Sequence, residues 1–551
     1  MILLQYSRLI YFGKIAFMSF FRTISLFILS SILLASCAPA TETPIVFPTY
    51  DPFVSTSGAT AQPQISISTS TITETDTPSP TSTRLPTPTR VPLNLSPLIG
   101  IQNQITANTP TPDTARILPT PRQSSDQYVV QPGDTLGSIA QRYNISLQTL
   151  LDANNIADPN ALEVGTTLTI PAPQLAATSS SALKVIPDSE LVNGPATAKF
   201  NLRNFIASQN GYLNSYVQDV NGVALNGADI IEAVSYNYSV NPRILLALLE
   251  YQSGWVTNRF PTNTDYPMGY MDESRAGLYR QVMWAANTLN RGYYLWRANA
   301  ISTWVLADGQ VIPIDPTINA GTAAIQYFFS ELYGYDAWKY AVSETGVVVT
   351  YFVFFGNPFN YAIEPLVPAS LTQPPMQLPF TAGESWYFTG GPHGGWDSGS
   401  AWGALDFAPQ DNPGGCLSSS YWVTAMADGL VTRTGIGSVI QDLDNDGYEQ
   451  TGWVILYMHV AAAGRVTPGE YLFTNERVGH PSCEGGYSNA THVHVARKYN
   501  GEWISADGAI PFNLSGWISS GDGYEYNGFL SRGSVTIEAL DAAQPTNLIT
   551  R

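Results

Sequence analysis

Histidine, a residue suited to both metal and acid–base chemistry, is confined to the last third of this 551-residue chain. The five histidines are at positions 393, 459, 480, 492 and 494. His492 and His494 lie two residues apart in the segment THVHV. Because side chains alternate between the faces of a strand, both imidazoles would share one face if this segment is extended. With one carboxylate, they could hold a catalytic zinc and leave a fourth position for water.

Another histidine, His393, is followed in the sequence by two aspartates, and either aspartate could supply this carboxylate. Asp397 comes four residues later in a Gly- and Ser-rich segment, where aspartate is usually a turn residue. Asp406 comes thirteen residues later, in the segment ALDFA just upstream of a predicted strand. Asp406 is therefore the preferred ligand and Asp397 the alternative.

The fourth histidine of this pattern, His459, ends the apolar segment WVILYMH at residues 453–459. Such a segment predicts a strand, and its period of two places Ile455, Tyr457 and His459 on one face. Short predicted strands separated by Gly-rich turns continue to about residue 532, so this part of the chain is expected to be mainly antiparallel β.

These segments resemble the lysostaphin-type zinc metallopeptidases, most closely their β-lytic/staphylolysin branch, over residues 378–532. The matching motifs are GGPH, ALDFA, VTAMADGLV, LYMH and THVHVA. The resemblance implies that His393, Asp406 and His494 bind zinc. It also implies that His459 and His492 are catalytic, acting on the attacking water and on the transition state. The implied reaction is hydrolysis of peptide cross-links in bacterial peptidoglycan.

Two cysteines, Cys416 and Cys483, lie inside this region. In the β-lytic branch a disulfide occupies the corresponding interval, so the resemblance implies that these two residues pair. His480 matches none of the motifs and is expected to be a surface or loop histidine.

The acidic run at 442–449 has the opening spacing of a calcium loop, with alternating carboxylates and a glycine in sixth place. Its carboxylates are Asp442, Asp444 and Asp446. The twelfth place holds Trp453 instead of glutamate. A calcium site and an acidic hairpin tip therefore both stay open.

The N-terminus predicts export. Residues 1–36 combine basic residues, a short apolar run and small residues before Cys37, as signal peptides do. The run LASC at 34–37 resembles a lipoprotein lipobox, which implies acylation of Cys37 and anchoring to the outer face of the cell membrane. An uncleaved membrane anchor is the alternative. Residues 37–125 are rich in Thr, Pro and Ser and are predicted to be a disordered linker.

Residues 126–173 predict a βααβ module. The segments VVQPGDTLGSIA and GTTLTIP resemble a lysin-motif (LysM) domain, which implies binding to N-acetylglucosamine-containing glycan. By family analogy the glycan groove is lined by Gly133, Asp134, Thr135, Leu136, Asn154, Asn155 and Ile156.

Residues 190–365 are predicted to be mainly helical. The stretch 228–255 resembles the core of lysozyme-like lytic transglycosylases, in which a helix ends in a catalytic glutamate followed by serine. Ser253 fits this pattern, but Gln252 stands in the acid position, and an amide cannot supply a proton to the leaving group. The prediction is a lysozyme-like domain without catalysis; a helical spacer is the alternative.

The sequence thus predicts a multidomain, exported zinc endopeptidase directed to peptidoglycan by LysM, with residues 533–551 as a tail. The alternative is a catalytically inactive peptidoglycan-binding or regulatory lipoprotein. Net charge is −18, and no basic stripe exists to neutralise phosphates, which argues against nucleic acid as a partner.

Overall fold

A computed structural model describes residues 112–131, 134–159, 162–411 and 414–551. Cys37, the signal peptide and most of the 37–125 segment lie outside the described residues, as does Gly133. Within the described part of the chain, no helix has the length and apolar character needed to cross a bilayer. The lipid anchor therefore stays a prediction.

The first folded module has the predicted βααβ order. Its strands β1 (Asp126–Val129) and β2 (Thr167–Ile170) pair antiparallel, and α1 (Leu136–Arg142) and α2 (Leu147–Asn154) lie between them in the chain. A reciprocal capping box between Thr135 and Ser138 starts α1. The apolar side chains of both helices and both strands form one small core.

A helical region follows, from about residue 188 to residue 361. Its helices are α3 (Leu202–Gln209), α4 (Tyr212–Ser215), α5 (Gly227–Tyr238), α6 (Pro242–Ser253), α7 (Leu278–Arg297), α8 (Ala320–Ser330), α9 (Tyr335–Ala341) and α10 (Val347–Phe355). Two hairpins interrupt them, β3 (Val217–Val220) with β4 (Val223–Asn226) and β5 (Thr303–Val305) with β6 (Val311–Pro313). The long helix α7 packs against α5 and α8 at the centre.

The C-terminal region is built on strands. Its first strands are β7 (Ser385–His393), β8 (Ala404–Ala408), β9 (Val423–Thr424), β10 (Gly429–Gly435), β11 (Ser438–Asp442), β12 (Trp453–Met458) and β13 (Tyr471–Leu472). The others are β14 (Arg477–Gly479), β15 (Val493–Tyr499), β16 (Glu502–Trp503), β17 (Asn513–Leu514), β18 (Trp517–Gly521), β19 (Gly528–Arg532), β20 (Val535–Glu538) and β21 (Leu548–Thr550). A nine-stranded sheet has the order β13-β10-β11-β12-β15-β8-β7-β21, with β16 paired to β15. A four-stranded sheet, β17 to β20, accompanies it.

The chain end is not a tail. Strand β20 pairs with β19, and β21 adds the edge strand beside β7. Ile549, fully buried, packs into the core of the large sheet. The alternation of apolar residues in these short strands is brief, which explains why the sequence pattern missed them.

The end of the predicted linker is also ordered. Asp113 and Arg116 donate backbone N–H groups to carbonyls of the helical region, at residues 317 and 316. The guanidinium of Arg116 donates to the Trp296 carbonyl at 2.7 Å and lies over the Trp296 ring. Residues 112–125 therefore lie along the folded part, and the predicted linker extended too far.

The two faces of the large sheet are buried against different partners. Leu405, Val495 and Tyr457 lie in the core of the β region. Ala404, Ala496 and Leu456, on the opposite face, belong to a core shared with the helical region. The helical region therefore covers part of this second face.

Candidate metal centre

Three adjacent strands position His393, Asp406 and His494. His393 ends β7, Asp406 lies in β8 and His494 lies in β15, and β8 is hydrogen-bonded to both neighbours. Asp406 is directly opposite His494 in the antiparallel register and opposite Gly390 on the other side. The pairing of strands therefore brings together residues that are far apart in sequence.

The potential ligand atoms of these residues converge on one point. His393 Nε2 lies 3.0 Å from His494 Nδ1, and each of these nitrogens lies 3.3 Å from Asp406 Oδ1. Zinc bonds of about 2.0–2.2 Å in a tetrahedral arrangement separate the ligand atoms by about 3.3 Å. The observed separations match this geometry.

The environment of the Asp406 carboxylate also fits a bound cation. Its Oδ1 atom is buried and accepts no well-formed hydrogen bond. A buried carboxylate oxygen without a donor is costly, and a metal ion would satisfy it. Burial opposes ionisation, but the nearby imidazoles of His393 and His492 hold the pKa of Asp406 well below its usual range. The residues present therefore fit a zinc ion.

Backbone carbonyls fix the two ligand imidazoles. His393 donates from Nδ1 to the Gly391 carbonyl at 2.8 Å, and His494 donates from Nε2 to the Gly395 carbonyl at 3.1 Å. A carbonyl can only accept, so the opposite ring nitrogens carry the free lone pairs. These are the nitrogens at the convergence point, and such outer contacts are typical of metal-bound histidine.

The second histidine pair, His459 and His492, lies beside this centre. Their ring centroids are 4.4 Å apart, and His492 Nε2 is 3.9 Å from Asp406 Oδ2. Each donates from Nδ1 to a carbonyl, His459 to Glu484 at 3.1 Å and His492 to Ala490 at 2.7 Å. Both Nε2 atoms are therefore proton acceptors. Burial, reinforced by His492 and His494, lowers the pKa of His459 well below its ordinary value.

The prediction that His459 shares a strand face with Ile455 and Tyr457 was wrong. Ile455 and Tyr457 lie in the β core, on the face away from the metal centre. Strand β12 ends at Met458, and His459 has a left-handed backbone with φ of 61°. This turn breaks the alternation and directs the imidazole to the face that carries His492.

Asp397, the alternative ligand, lies outside the cluster of His393, Asp406 and His494. Its Oδ2 accepts a hydrogen bond from the Tyr238 hydroxyl at 2.9 Å, and its Oδ1 accepts from the Ser398 amide at 2.6 Å. With φ of 60°, it has the turn role that its Gly- and Ser-rich context indicated.

The predicted disulfide between Cys416 and Cys483 is present, with a Cα–Cα distance of 5.6 Å. It holds the segment that precedes His492, since Ser482 pairs with His492 and the Thr491 amide donates to the Gly415 carbonyl. The fifth histidine, His480, follows β14 and packs against Trp422, with ring centroids 3.8 Å apart and an interplanar angle of 41°. It belongs to a loop, as expected.

The carboxylates of Asp442, Asp444 and Asp446 lie within 4.8 Å of one another. They accept hydrogen bonds from backbone amides within their own turn, including Gly447 to Asp442 at 2.9 Å and Tyr448 to Asp446 at 2.8 Å. Burial, together with Asp444, raises the pKa of Asp442 to about 7. These contacts account for the turn as an acidic hairpin tip, and calcium stays a prediction.

Among the predicted glycan-contact residues, the side chains of Asn154, Asp134 and Thr135 have internal partners, and that of Thr135 is the cap of α1 described above. Asn154 bonds with both the amide and the carbonyl of Thr169, which ties α2 to β2. Asp134 accepts from the Tyr128 hydroxyl at 2.7 Å, and Leu136 is buried in the core. Thr135, Asn155 and Ile156 are at least partly exposed, in positions where they could contact a glycan.

Tyr526 was not found from the sequence. Its ring stacks on His393 at a centroid distance of 4.2 Å and an interplanar angle of 18°. Two backbone hydrogen bonds, from Gly391 to the Tyr526 carbonyl and from Tyr526 to the Pro392 carbonyl, join its loop to the end of β7. A left-handed φ of 66° at a tyrosine was not signalled by any turn motif.

Comparison with protein families assigns two parts of the chain. The LysM domain model matches residues 128–171. The model described as the LasA N-terminal domain matches residues 184–369. The chain therefore carries a LysM domain, as predicted, followed by a region similar to that of LasA.

The chain is also similar to individual proteins. Protease LasA of Pseudomonas aeruginosa is 26% identical over 319 residues, which cover 54% of this chain and 72% of that protein. Among solved structures, the M23 metalloprotease pseudoalterin is 24% identical and covers 32% of this chain and 99% of its own, with a TM-score of 0.26. The catalytic domain of lysostaphin from Staphylococcus simulans is 22% identical and covers 23% of this chain and 95% of its own, with a TM-score of 0.16. The chain is LasA-like over about half its length.

The lysozyme-like interpretation of the helical region is not confirmed by these matches. In the structure, α6 ends at Ser253 as expected, and Gln252 Oε1 accepts a hydrogen bond from the Tyr333 hydroxyl at 2.5 Å. The nearby Glu250 carboxylate accepts from the amides of Val256 and Thr257. Glu250 therefore holds the loop that follows α6.

Proposed function

We propose that this protein is a zinc-dependent endopeptidase that hydrolyses peptide cross-links of bacterial peptidoglycan. The observation that carries the proposal is the convergence of His393 Nε2, Asp406 Oδ1 and His494 Nδ1 at separations of 3.0–3.3 Å, beside a second pair of histidines. Similarity to a protease supports the reaction class, and the LysM domain supports the wall as the place of action.

In this proposal His393, Asp406 and His494 hold the zinc ion. Bound zinc supplies Lewis-acid activation of the attacking water and of the scissile carbonyl. The protein's own contribution to proton transfer comes from His459 and His492. Each imidazole donates from Nδ1 to a backbone carbonyl, so the neutral form of the ring presents a free lone pair at Nε2.

The resting state of this pair determines the order of events. A neutral imidazole protonated at Nδ1 cannot donate from Nε2, so neither histidine stabilises an oxyanion before it has accepted a proton. One of them first takes the proton of the attacking water. As an imidazolium it then donates from Nε2 to the leaving amine. Proton transfer by positioned groups of this kind contributes about 10²–10⁴-fold to the rate.

The remaining parts of the chain determine where this reaction takes place. We propose that the LysM domain binds N-acetylglucosamine-containing glycan and that Cys37 carries a lipid at the outer face of the cell membrane. Under this arrangement the enzyme acts on peptidoglycan within reach of the cell that exports it.

The proposal is tested with the purified full-length chain. Zinc content is measured by mass spectrometry, and digestion of isolated peptidoglycan is followed by the release of new amino groups. Amine release that is abolished by a chelator and restored by zinc supports the proposal. Stoichiometric zinc without amine release from any peptidoglycan tested would instead favour the inactive binding protein. Absence of bound zinc would refute the metal centre itself.

A further inference from the structure

The carbonyl that orients the ligand His494 belongs to the segment of residues 394–400, between β7 and β8. We call this segment the rim loop. Its Gly395 carbonyl accepts the hydrogen bond from His494 Nε2 at 3.1 Å. The position of the rim loop therefore sets the direction of the imidazole and of the lone pair on its Nδ1 atom.

The rim loop is in direct contact with the helical region. The Tyr238 hydroxyl, at the end of α5, donates to Asp397 at 2.9 Å. The Asn287 side chain, on α7, accepts from the Gly399 amide at 2.7 Å and donates to the Ser398 hydroxyl at 3.2 Å. Contact is close, because a Cβ atom at Gly399 would lie 2.0 Å from the Asn287 carbonyl oxygen.

Aromatic packing strengthens the same connection. Trp396 of the rim loop is buried and packs edge-to-face on Tyr238, with centroids 6.4 Å apart. On its other side the loop rests on Trp503, since a Cβ atom at Gly395 would lie 2.8 Å from that ring. Trp503 in turn donates from its amide to the Tyr294 hydroxyl of α7 at 2.9 Å.

We propose that Tyr238 and Asn287 of the helical region are positioning residues for the metal centre, acting through the rim loop on His494. The inference rests on the proposed zinc site. It gives the helical region a role in the enzyme, as the outer support of a ligand contributed by another part of the chain. Helix α5, helix α7, the rim loop and His494 form one continuous series of contacts.

The expected size of the effect follows from the position of these residues. Loss of a group that directly bonds a metal-bound histidine costs about 10–100-fold in metal affinity. Tyr238 and Asn287 contact the rim loop and not His494 itself. The double variant is therefore expected to lose zinc affinity near the lower limit of this range, by about tenfold.

The experiment measures zinc dissociation constants of the full-length protein by competition with a chromophoric chelator. The variants are Tyr238→Phe, Asn287→Ala and their combination. The matched control is Tyr293→Phe, which removes another hydroxyl from the same interface; that hydroxyl contacts Glu502 and not the rim loop. Thermal unfolding of the zinc-free proteins verifies that each variant is folded.

Weakened zinc binding in both single variants, with wild-type binding in the control, supports the proposal. Asn287→Asp, which keeps an acceptor for the Gly399 amide, should then bind zinc better than Asn287→Ala. Saturating zinc should restore peptidase activity to the variants. Wild-type zinc affinity in the double variant would overturn the inference, and so would an equal loss in Tyr293→Phe. If the wild-type protein bound no zinc, the proposed function would fail as well, so the two failures are distinguishable.

Discussion

Replacing His459 or His492 by alanine tests the division of roles in the candidate site. Neither imidazole is at the convergence point of the three ligand atoms, and the ring centroid of His459 is 6.2 Å from that of His494. Both variants are therefore expected to retain one zinc. Three protein ligands plus water complete the usual catalytic zinc shell, so a fourth imidazole is not needed for binding.

The activity of the same variants is expected to fall steeply. Each substitution removes an Nε2 proton acceptor that its Nδ1 contact, to Glu484 or Ala490, holds in one orientation. Loss of a positioned acid–base group costs about 10²–10⁴-fold in kcat/KM. At 1.36 kcal/mol per factor of ten, this loss corresponds to about 3–5 kcal/mol of transition-state stabilisation.

The assay compares zinc stoichiometry and hydrolysis of a short glycine-containing peptide for each variant. His480→Ala is the matched control, because it removes a histidine of the same region that packs against Trp422 outside the site. The control should retain both zinc and activity. If His459→Ala or His492→Ala loses zinc, that histidine is a ligand and the assignment of roles is wrong. If both keep near-full activity, the reaction does not use this pair.

Three further outcomes are expected. Asp406→Ala should lose zinc while Asp397→Ala retains it, as measured by metal analysis, and the reverse result would exchange the two assignments. Replacing Cys416 and Cys483 together by serine opens a loop with a sequence separation of 67 and should lower the unfolding free energy by about 4 kcal/mol in the chain-entropy model; an unchanged denaturant midpoint would contradict this. The folded pKa of Asp442 is about 7, above that of a free carboxyl, so its contribution to stability is lost as pH rises through 7. In the presence of a chelator, Asp442→Asn should therefore raise the thermal midpoint at pH 8 relative to wild type and change it little near pH 4. If this variant is less stable than wild type only when calcium is added, that result would support a calcium site.

Most features of the site that depend on residues close together in sequence could be predicted from local patterns. Strand alternation alone indicated that His492 and His494 share a face, and the turn chemistry around Asp397 favoured Asp406 as the partner of His393. The register that places Asp406 opposite His494 could not be predicted in this way. It depends on pairing between strands far apart in sequence, which a local pattern does not determine.

The errors have identifiable physical causes. His459 left the predicted face because one left-handed residue ends β12, and no glycine or asparagine marks that position. The rim loop's contacts with Tyr238 and Asn287 join segments that no local motif relates. Such contacts become visible only when the helical region and the sheet are seen packed together.

The packing of the helical region also bears on the surroundings of the metal centre. Ala404 and Ala496 are buried beneath the helices. Asp406 and His494 lie two residues away on the same two strands, and their side chains are on the same face of the sheet. The helical region and the metal centre therefore share one face of the sheet. Tyr526, a residue that is 55% exposed, stacks its ring on His393 and therefore borders the same centre.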